Sequence, residues 1–177
     1  MANVTNISDL ERLKTLHNGE KQPLTFSDAE FERRLSGLRS IMAEKELDAV
    51  ILTSYQNIKY YSDFLFTYFG RSYALVVTQQ ESTTVTANID AGMPWRTSYG
   101  DNIVYTDWRR DNFYYGLQEA LNRQNISAQR IGIEDDTVSL MQRKALQDTF
   151  PNAELLDVSQ ATMRQRMIKS AEEIEVI

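Results

Sequence analysis

The order of hydrophobic and polar positions along the 177-residue chain predicts alternating helices and strands. Phe31 and Leu35 begin an apolar stripe with helical spacing that continues to Met42, which predicts a helix over about 28–45. Ser27 stands just before this stretch and has the residue type of a helix N-cap, with a glutamate three residues on as a capping box requires. The first long element of the chain is therefore an amphipathic helix.

Short, continuous apolar runs predict buried strands in the rest of the chain. These runs cover residues 49–52, 73–77, 103–105, 131–133 and 155–156. Glu81 and Ser82 form a polar turn between the run at 73–77 and residues 83–87, which predicts an antiparallel hairpin. Further helices are predicted after Asp111, Thr137 and Ser159, and Pro151 ends the second of them. The alternation predicts an α/β fold with a mixed β-sheet flanked by helices.

The two ends of the chain are less regular. Leucines at 10, 13 and 16 have the spacing of a short helix, which would be marginal by itself. Ser170 and Glu173 form a capping box followed by Ile174 and Ile177, which predicts a helix in the last residues. It is either a short helix docked on this domain or, as we prefer, the beginning of a further domain. We accordingly divide the chain into an extension at 1–24, an α/β domain at 25–168 and the start of a junction at 169–177.

Composition and charge argue against several classes of partner and site. The net charge is −6 and the pI about 4.9, which argues against nucleic-acid or anionic-membrane partners. The chain has no cysteine, no secretory h-region and no apolar run of membrane-spanning length, so we expect a cytoplasmic protein. His17 is the one histidine and is interpreted as a solvated tail residue. The chain thus offers no histidine for a catalytic base or metal ligand in a core cleft.

Two charged segments have alternative interpretations. Glu134, Asp135 and Asp136 are an acidic run that is compatible with a metal site, but a solvated loop after a strand is favoured. Residues 107–111 combine Trp108 with acidic and basic side chains and are interpreted as a strand-to-helix loop with surface ion pairs. Motifs for zinc peptidases, dinucleotides, P-loops and serine nucleophiles are absent.

The segment 54–71 is unusually rich in aromatic residues and joins two predicted strands. Gly70 permits a backbone turn between Phe69 and Arg71. An arginine beside aromatic rings can hold a carboxylate through two parallel hydrogen bonds. A site for a small anionic ligand and a structural ion pair of Arg71 both remain open.

At this segment the chain resembles the N-terminal domain of the creatinases, within the wider prolidase and Xaa-Pro aminopeptidase superfamily. The resemblance extends from about Thr25 to the end of the chain. The matching blocks are Ser54–Tyr55, Asn57–Ile58, Tyr60–Leu65, Phe69–Arg71, Tyr73–Thr78, Ala87–Asp90, Pro94–Arg96, Asp101–Trp108, Met163–Arg164 and Arg166–Glu173.

The resemblance implies an N-terminal α/β domain with a ribonuclease H-like motif, followed by a "pita-bread" catalytic domain that holds the catalytic residues. Creatinases are homodimers that hydrolyse creatine to sarcosine and urea without an essential metal or other cofactor. No catalytic residue and no metal ligand of the family falls on this chain. The resemblance does imply that Phe69 and Arg71 reach across the dimer and bind substrate in the neighbouring subunit's active site.

Two other functions remain as alternatives. The chain could be the N-terminal domain of a metal-dependent Xaa-Pro peptidase, or a non-enzymatic protein-binding module, because a fold does not fix a function. The Phe69–Arg71 segment and the blocks around Trp95 and Trp108 favour the creatinase. By itself the chain is expected to fold but to release no urea from creatine.

Overall fold

The structure is a computed structural model and describes residues 11–67, 70–107, 109 and 111–177. The strands are β1 (Leu13–Lys14), β2 (Ala49–Leu52), β3 (Ala74–Val77), β4 (Ser82–Ala87), β5 (Asp101–Tyr105), β6 (Arg130–Ile133) and β7 (Glu154–Asp157). The helices are α1 (Asp28–Glu44), α2 (Tyr55–Ser62), α3 (Met93–Thr97), α4 (Asn112–Asn122), α5 (Leu140–Thr149), α6 (Ser159–Met167) and α7 (Ala171–Val176). The predicted α/β fold is confirmed.

The strands form one mixed sheet in the order β1-β5-β4-β3-β2-β6-β7. Strands β2, β6 and β7 are parallel, as are β4 and β5, whereas β3 is antiparallel to both of its neighbours. The carboxyl ends of these parallel strands therefore lie at one edge of the sheet, together with the start of β3. We call it the carboxyl edge, and it carries Arg71, Asn88, Asp107 and Glu134. In open α/β sheets, ligands bind at this type of edge.

Strand β2 lies at the centre of the sheet between β3 and β6, and all four of its residues are buried. Both of its faces are covered, which explains why its sequence is a continuous apolar run rather than an alternating one. The predicted hairpin is also confirmed: Val77 pairs with Ser82 in register, and the Thr78 backbone N–H donates to the Glu81 carbonyl at 2.9 Å.

The helices pack on the sheet in two groups. Helix α1 contacts α2 and α6, whereas α4 packs on β3, β4 and β5 and contacts α5. The Ser27 hydroxyl accepts from the Glu30 backbone N–H at 3.2 Å, which confirms the predicted start of α1. The second half of the predicted capping box is not formed, because the Ser27 N–H donates to Glu172 and the Glu30 carboxylate is bound by Arg33 and Arg34. Gly116 allows α4 to approach the sheet closely, because a Cβ there would lie 2.7 Å from Val85 Cγ1.

One local prediction was wrong, and two short helices were not predicted. Leu13–Lys14 form a strand paired with β5 rather than a short helix, because β5 offers an edge for backbone hydrogen bonds. Leu10 lies outside the described residues. The segment 54–71 contains α2, whose N-cap Ser54 accepts from the Asn57 N–H at 3.1 Å. The sequence also did not predict α3, a helix of only five residues.

Two predicted helix starts are displaced. Helix α5 begins after Ser139 rather than Thr137, because Ser139 and Gln142 form a complete capping box. Ser159 is the first residue of α6 rather than its cap, which is Val158. The strand and helix types predicted for both regions are nevertheless those observed.

The first turn of α7 is fixed to the domain, although its apolar residues are exposed. The Ser170–Glu173 capping box is complete as predicted. Glu172 accepts from the Ser27 backbone N–H at 2.6 Å and from its hydroxyl at 2.8 Å, so the start of α7 meets the start of α1. Ile174 and Ile177 remain largely exposed. The division at residue 169 stays a prediction.

Candidate functional site

Arg71 lies on the carboxyl edge, just before β3. Gly70 precedes it with φ = +73°, in the left-handed region that glycine adopts without a steric penalty, as predicted. The Arg71 side chain is 40% exposed, so its guanidinium is accessible from outside the domain. Phe69, the second predicted substrate-binding residue, lies outside the described residues.

Asp107 is the ion-pair partner of Arg71. Asp107 Oδ1 lies 3.3 Å from Arg71 Nε, and the Asp107 side chain is 28% exposed. Asp107 follows the end of β5, two strands away from β3 in the sheet. Surface ion pairs were predicted for the loop 107–111. This prediction is confirmed for Asp107, whose partner is the candidate binding residue Arg71.

Two tyrosine hydroxyls form hydrogen bonds close to Arg71. Tyr105, the last residue of β5, accepts a hydrogen bond from the Ser72 N–H at 3.2 Å. Tyr73 donates to the Asp90 carboxylate at 2.5 Å. Burial, reinforced by the negative charge of Asp107, raises the pKa of Tyr105 to about 12. Burial also raises the pKa of Tyr73. Both phenols are therefore protonated at neutral pH, and Tyr73 uses its proton in the hydrogen bond to Asp90.

A cavity of about 220 Å³ opens beside Arg71. Its walls combine aromatic side chains with polar ones and include Phe66, Tyr73, Phe113, Tyr114, Gln142 and Thr53. Drug-sized ligand sites typically measure roughly 300–1,000 Å³, so this cavity suits a smaller molecule or a side chain. The arrangement combines an apolar wall with one accessible cation, which is a suitable environment for a small carboxylate.

The acidic run after β6 is only partly solvated, so its interpretation as a solvated loop is wrong for Glu134. Glu134 is 2% exposed. Its Oε2 accepts from the backbone N–H groups of Thr53 and Ser54 at 2.6 and 2.9 Å, and its Oε1 accepts from Asn57 Nδ2 at 2.6 Å. Glu134 is thus a structural carboxylate that holds the loop after β2 and the start of α2.

The other two carboxylates of this run do face solvent, and Asp135 forms an exposed ion pair with Arg143. Across the part of the chain that the structure describes, no three histidine or acidic side chains come together as a metal site requires. Within the same residues, none of the helices combines the length and apolarity needed to span a bilayer.

His17 lies at the opposite edge of the sheet from Arg71. Its Nε2 is 2.8 Å from Asp101 Oδ1, at the start of β5, whereas Asp107 follows the end of that strand. The His17 ring lies 4.3 Å from the Trp95 ring, and its side chain is 52% exposed. His17 is therefore half-exposed but attached to the sheet rather than part of a free tail. A five-residue strand spans about 13 Å between its first and last residue, which separates His17 from the candidate site.

The pairing of Arg71 with Asp107 was not predicted from the sequence, because this pairing depends on the order of the strands in the sheet. Both residues were noticed, but in separate loops. The ends of β4 and β5 and the start of β3 become neighbours only when the sheet assembles. Their placement just outside predicted strands was the one local signal available.

The chain is similar to several known proteins. It is 58% identical over 172 residues to the creatinase of Bacillus sp. (strain B-0618), an alignment that covers 97% of this chain and 42% of that protein. The match therefore extends well into residues 1–24, beyond the resemblance stated above, which begins at about Thr25. The chain spans less than half the length of that relative.

Solved structures share the fold. A proline dipeptidase from Streptococcus pneumoniae TIGR4 superposes with a TM-score of 0.69 at 21% identity, covering 76% of this chain and 98% of that one. An Xaa-Pro dipeptidase from Bacillus anthracis gives 0.68 at 18% identity, covering 82% of this chain and 38% of that one. Residues 34–168 match the family described as the Creatinase/Prolidase N-terminal domain. The chain belongs to this family.

Proposed function

We propose that the chain is the N-terminal domain of a creatine amidinohydrolase, an enzyme that converts creatine and water to sarcosine and urea. The 58% identity to a creatinase over nearly the whole chain carries this proposal. The two solved dipeptidases described above are 21% and 18% identical to the chain. At that level of identity, the similarity concerns the fold alone.

In this proposal Arg71 binds the carboxylate of creatine. Its guanidinium is accessible at the carboxyl edge, and a guanidinium can offer a carboxylate two parallel hydrogen bonds. Phe69, whose role is carried over from the family resemblance, packs on the methylated part of the substrate and excludes water. Holding the substrate in this way lowers the entropic part of the reaction barrier.

The general base of the reaction is proposed to lie outside these 177 residues. His17 is at the opposite edge of the sheet from Arg71 and is committed to Asp101. We therefore expect this chain to contribute substrate binding and dimer contacts, with Arg71 serving the active site of the neighbouring subunit. From the family resemblance, the enzyme is proposed to be a homodimer with no cofactor. A cytoplasmic location is proposed in keeping with a chain that has no cysteine.

Urea release from creatine tests the proposal. The protein is expressed from the full reading frame that contains this chain and assayed in the presence of a chelator. Urea formation is the expected result. No urea, together with cleavage of an Xaa-Pro dipeptide after addition of manganese, would establish the metal-dependent peptidase instead. A reading frame that ends at Ile177 would overturn both enzyme functions for this chain and favour a binding module.

The 177-residue chain is the matched control for this assay. It contains the folded α/β domain and Arg71 but, on the proposal, no general base. It is expected to form no urea. Urea release by this chain would contradict the proposal that these residues bind substrate while the general base lies outside them.

A further inference from the structure

One strand holds the Arg71 segment at two points. Tyr105, at the end of β5, accepts a hydrogen bond from the Ser72 N–H, which fixes the backbone directly after Arg71. Asp107, two residues further along, meets the Arg71 side chain. Tyr105 is nearly fully buried, so this anchor is rigid compared with the exposed guanidinium it supports. Backbone and side chain of the binding segment are thus positioned by the same strand end.

Asp107 lies nearest to the Nε atom of the Arg71 guanidinium. The closest contact is between Asp107 Oδ1 and Arg71 Nε, at 3.3 Å. A guanidinium is planar and carries five N–H groups, so a contact at Nε leaves the edge formed by the two terminal nitrogens for another acceptor. That edge has the spacing for a carboxylate bound through two parallel hydrogen bonds.

The pairing also restricts the conformations of Arg71. A free arginine side chain samples many rotamers, and part of this freedom is lost when it binds a ligand. A carboxylate fixed at Nε removes some of this freedom before the ligand arrives. Preorganisation of this kind improves affinity without a new contact to the ligand.

We propose that Asp107 is a positioning residue that orients Arg71 toward the carboxylate of the substrate. This inference rests on the proposed function and adds to it a residue that does not touch the substrate. Asp107 acts through Arg71, so its contribution disappears when Arg71 is absent. It also applies only to ligands that carry a carboxylate.

The experiment compares Asp107→Ala, Asp107→Asn and the double variant Asp107→Ala/Arg71→Ala in the full-length enzyme. Asp135→Asn is the matched control, because Asp135 forms a similarly exposed ion pair at the same sheet edge with a different arginine. We expect Asp107→Ala to raise the KM for creatine about 5-fold, the size of one partly exposed ion pair, with kcat within about 2-fold of the unaltered enzyme. Asp107→Asn should have a smaller effect, and Asp135→Asn none.

Two readouts separate positioning from a general disturbance of the structure. Competitive inhibition by sarcosine, which has a carboxylate, should weaken about 5-fold in Asp107→Ala, whereas inhibition by methylguanidine, which has none, should not change. In the Arg71→Ala background, Asp107→Ala should produce no further change in KM, because the two residues act as one unit.

Three other outcomes of these measurements would overturn the inference. A lower KM in Asp107→Ala would mean that Asp107 competes with the substrate for Arg71. Equal weakening of both inhibitors would mean a structural role, and additive KM effects would mean independent action; each overturns the inference but leaves the proposed function intact. No urea from the unaltered enzyme would overturn the proposed function, and the inference with it.

Discussion

Arg34 Nη2 donates to Glu173 Oε1 at 3.1 Å, which joins α1 to the first turn of α7 across 139 residues of sequence. The same guanidinium donates to Glu30 Oε1 at 2.7 Å and to the Tyr60 carbonyl at 2.8 Å. It also lies 4.1 Å from the centre of the Phe26 ring. Both ends of this ion pair are buried. The orientation of α7 is therefore fixed by charge and hydrogen bonds, although its apolar residues remain exposed.

Replacing Arg34 by methionine should destabilise the domain strongly. The substitution keeps an apolar stem of similar length but removes the buried cation from Glu30 and Glu173, which then keep only the half-exposed Arg33 as a partner. A loss of about 3 kcal/mol in the free energy of unfolding is expected, because an uncompensated buried charge is costly. Chemical denaturation followed by circular dichroism measures it.

Arg33→Met is the matched control, because Arg33 contacts the same two glutamates from a side chain that is 45% exposed. It should cost less than Arg34→Met, because the buried Arg34 still compensates both carboxylates and the ion pairs of Arg33 are partly screened by solvent. Hydrogen exchange should also show faster opening of α7 in Arg34→Met than in Arg33→Met. Equal effects of the two variants on stability would contradict the special role assigned to Arg34.

Glu30 should make the domain sensitive to acid. Its hydrogen bond from Arg33 is the main cause that lowers its pKa from 4.5 to about 2, with Arg34 adding to the effect and burial opposing it. A carboxyl whose pKa is lower in the folded state stabilises the fold above the unfolded pKa, and this contribution is lost as the pH falls from about 4.5 to about 2. The loss should be about 3 kcal/mol.

The measurement is the free energy of unfolding at pH 5 and at acid pH for the unaltered chain and for Glu30→Gln. The variant should be less stable at pH 5 and should lose less stability on acidification. Glu44→Gln, an exposed change at the end of the same helix, serves as the control and should follow the unaltered chain. A Glu30→Gln variant with the same acid dependence as the unaltered chain would refute the assignment.

Glu134→Gln should destabilise the loop after β2. The carboxylate accepts three N–H donors, from Thr53, Ser54 and Asn57. A glutamine presents an NH₂ group to at least one of these donors and leaves it unsatisfied in a buried position. The expected loss in unfolding free energy is about 2–3 kcal/mol. The exposed Asp135→Asn should change it by about 0.5 kcal/mol or less, and an equally small effect of both would show that the carboxylate is not required.

Arg71→Ala tests the binding role in the full-length enzyme. Loss of a two-point hydrogen bond to a carboxylate should raise the KM for creatine by about 100-fold, with a smaller change in kcat. The stability of the 177-residue chain should change little, because Arg71 is partly exposed and its ion pair is of the kind that adds about 1 kcal/mol or less. An unchanged KM for creatine would end the proposed role of Arg71.

The sequence alone determined the features that depend on neighbouring residues. Short patterns predicted the buried strand at 49–52, the hairpin whose turn lies between Val77 and Ser82, the N-cap Ser27 and the capping box at Ser170. Periodicity and capping involve residues only a few positions apart. The family resemblance, too, was carried by local blocks such as the one containing Arg71. Short elements without such patterns, α2 and α3, were not predicted.

The tertiary structure decided what depends on strand order. Which residue pairs with Arg71, on which edge of the sheet His17 lies, and whether Glu134 meets solvent or three N–H donors follow from the arrangement β1-β5-β4-β3-β2-β6-β7. Burial of Arg34 likewise required α7 to return to α1. These contacts join residues far apart in the chain. No local propensity encodes them, because the residues become neighbours only when the strands and helices assemble.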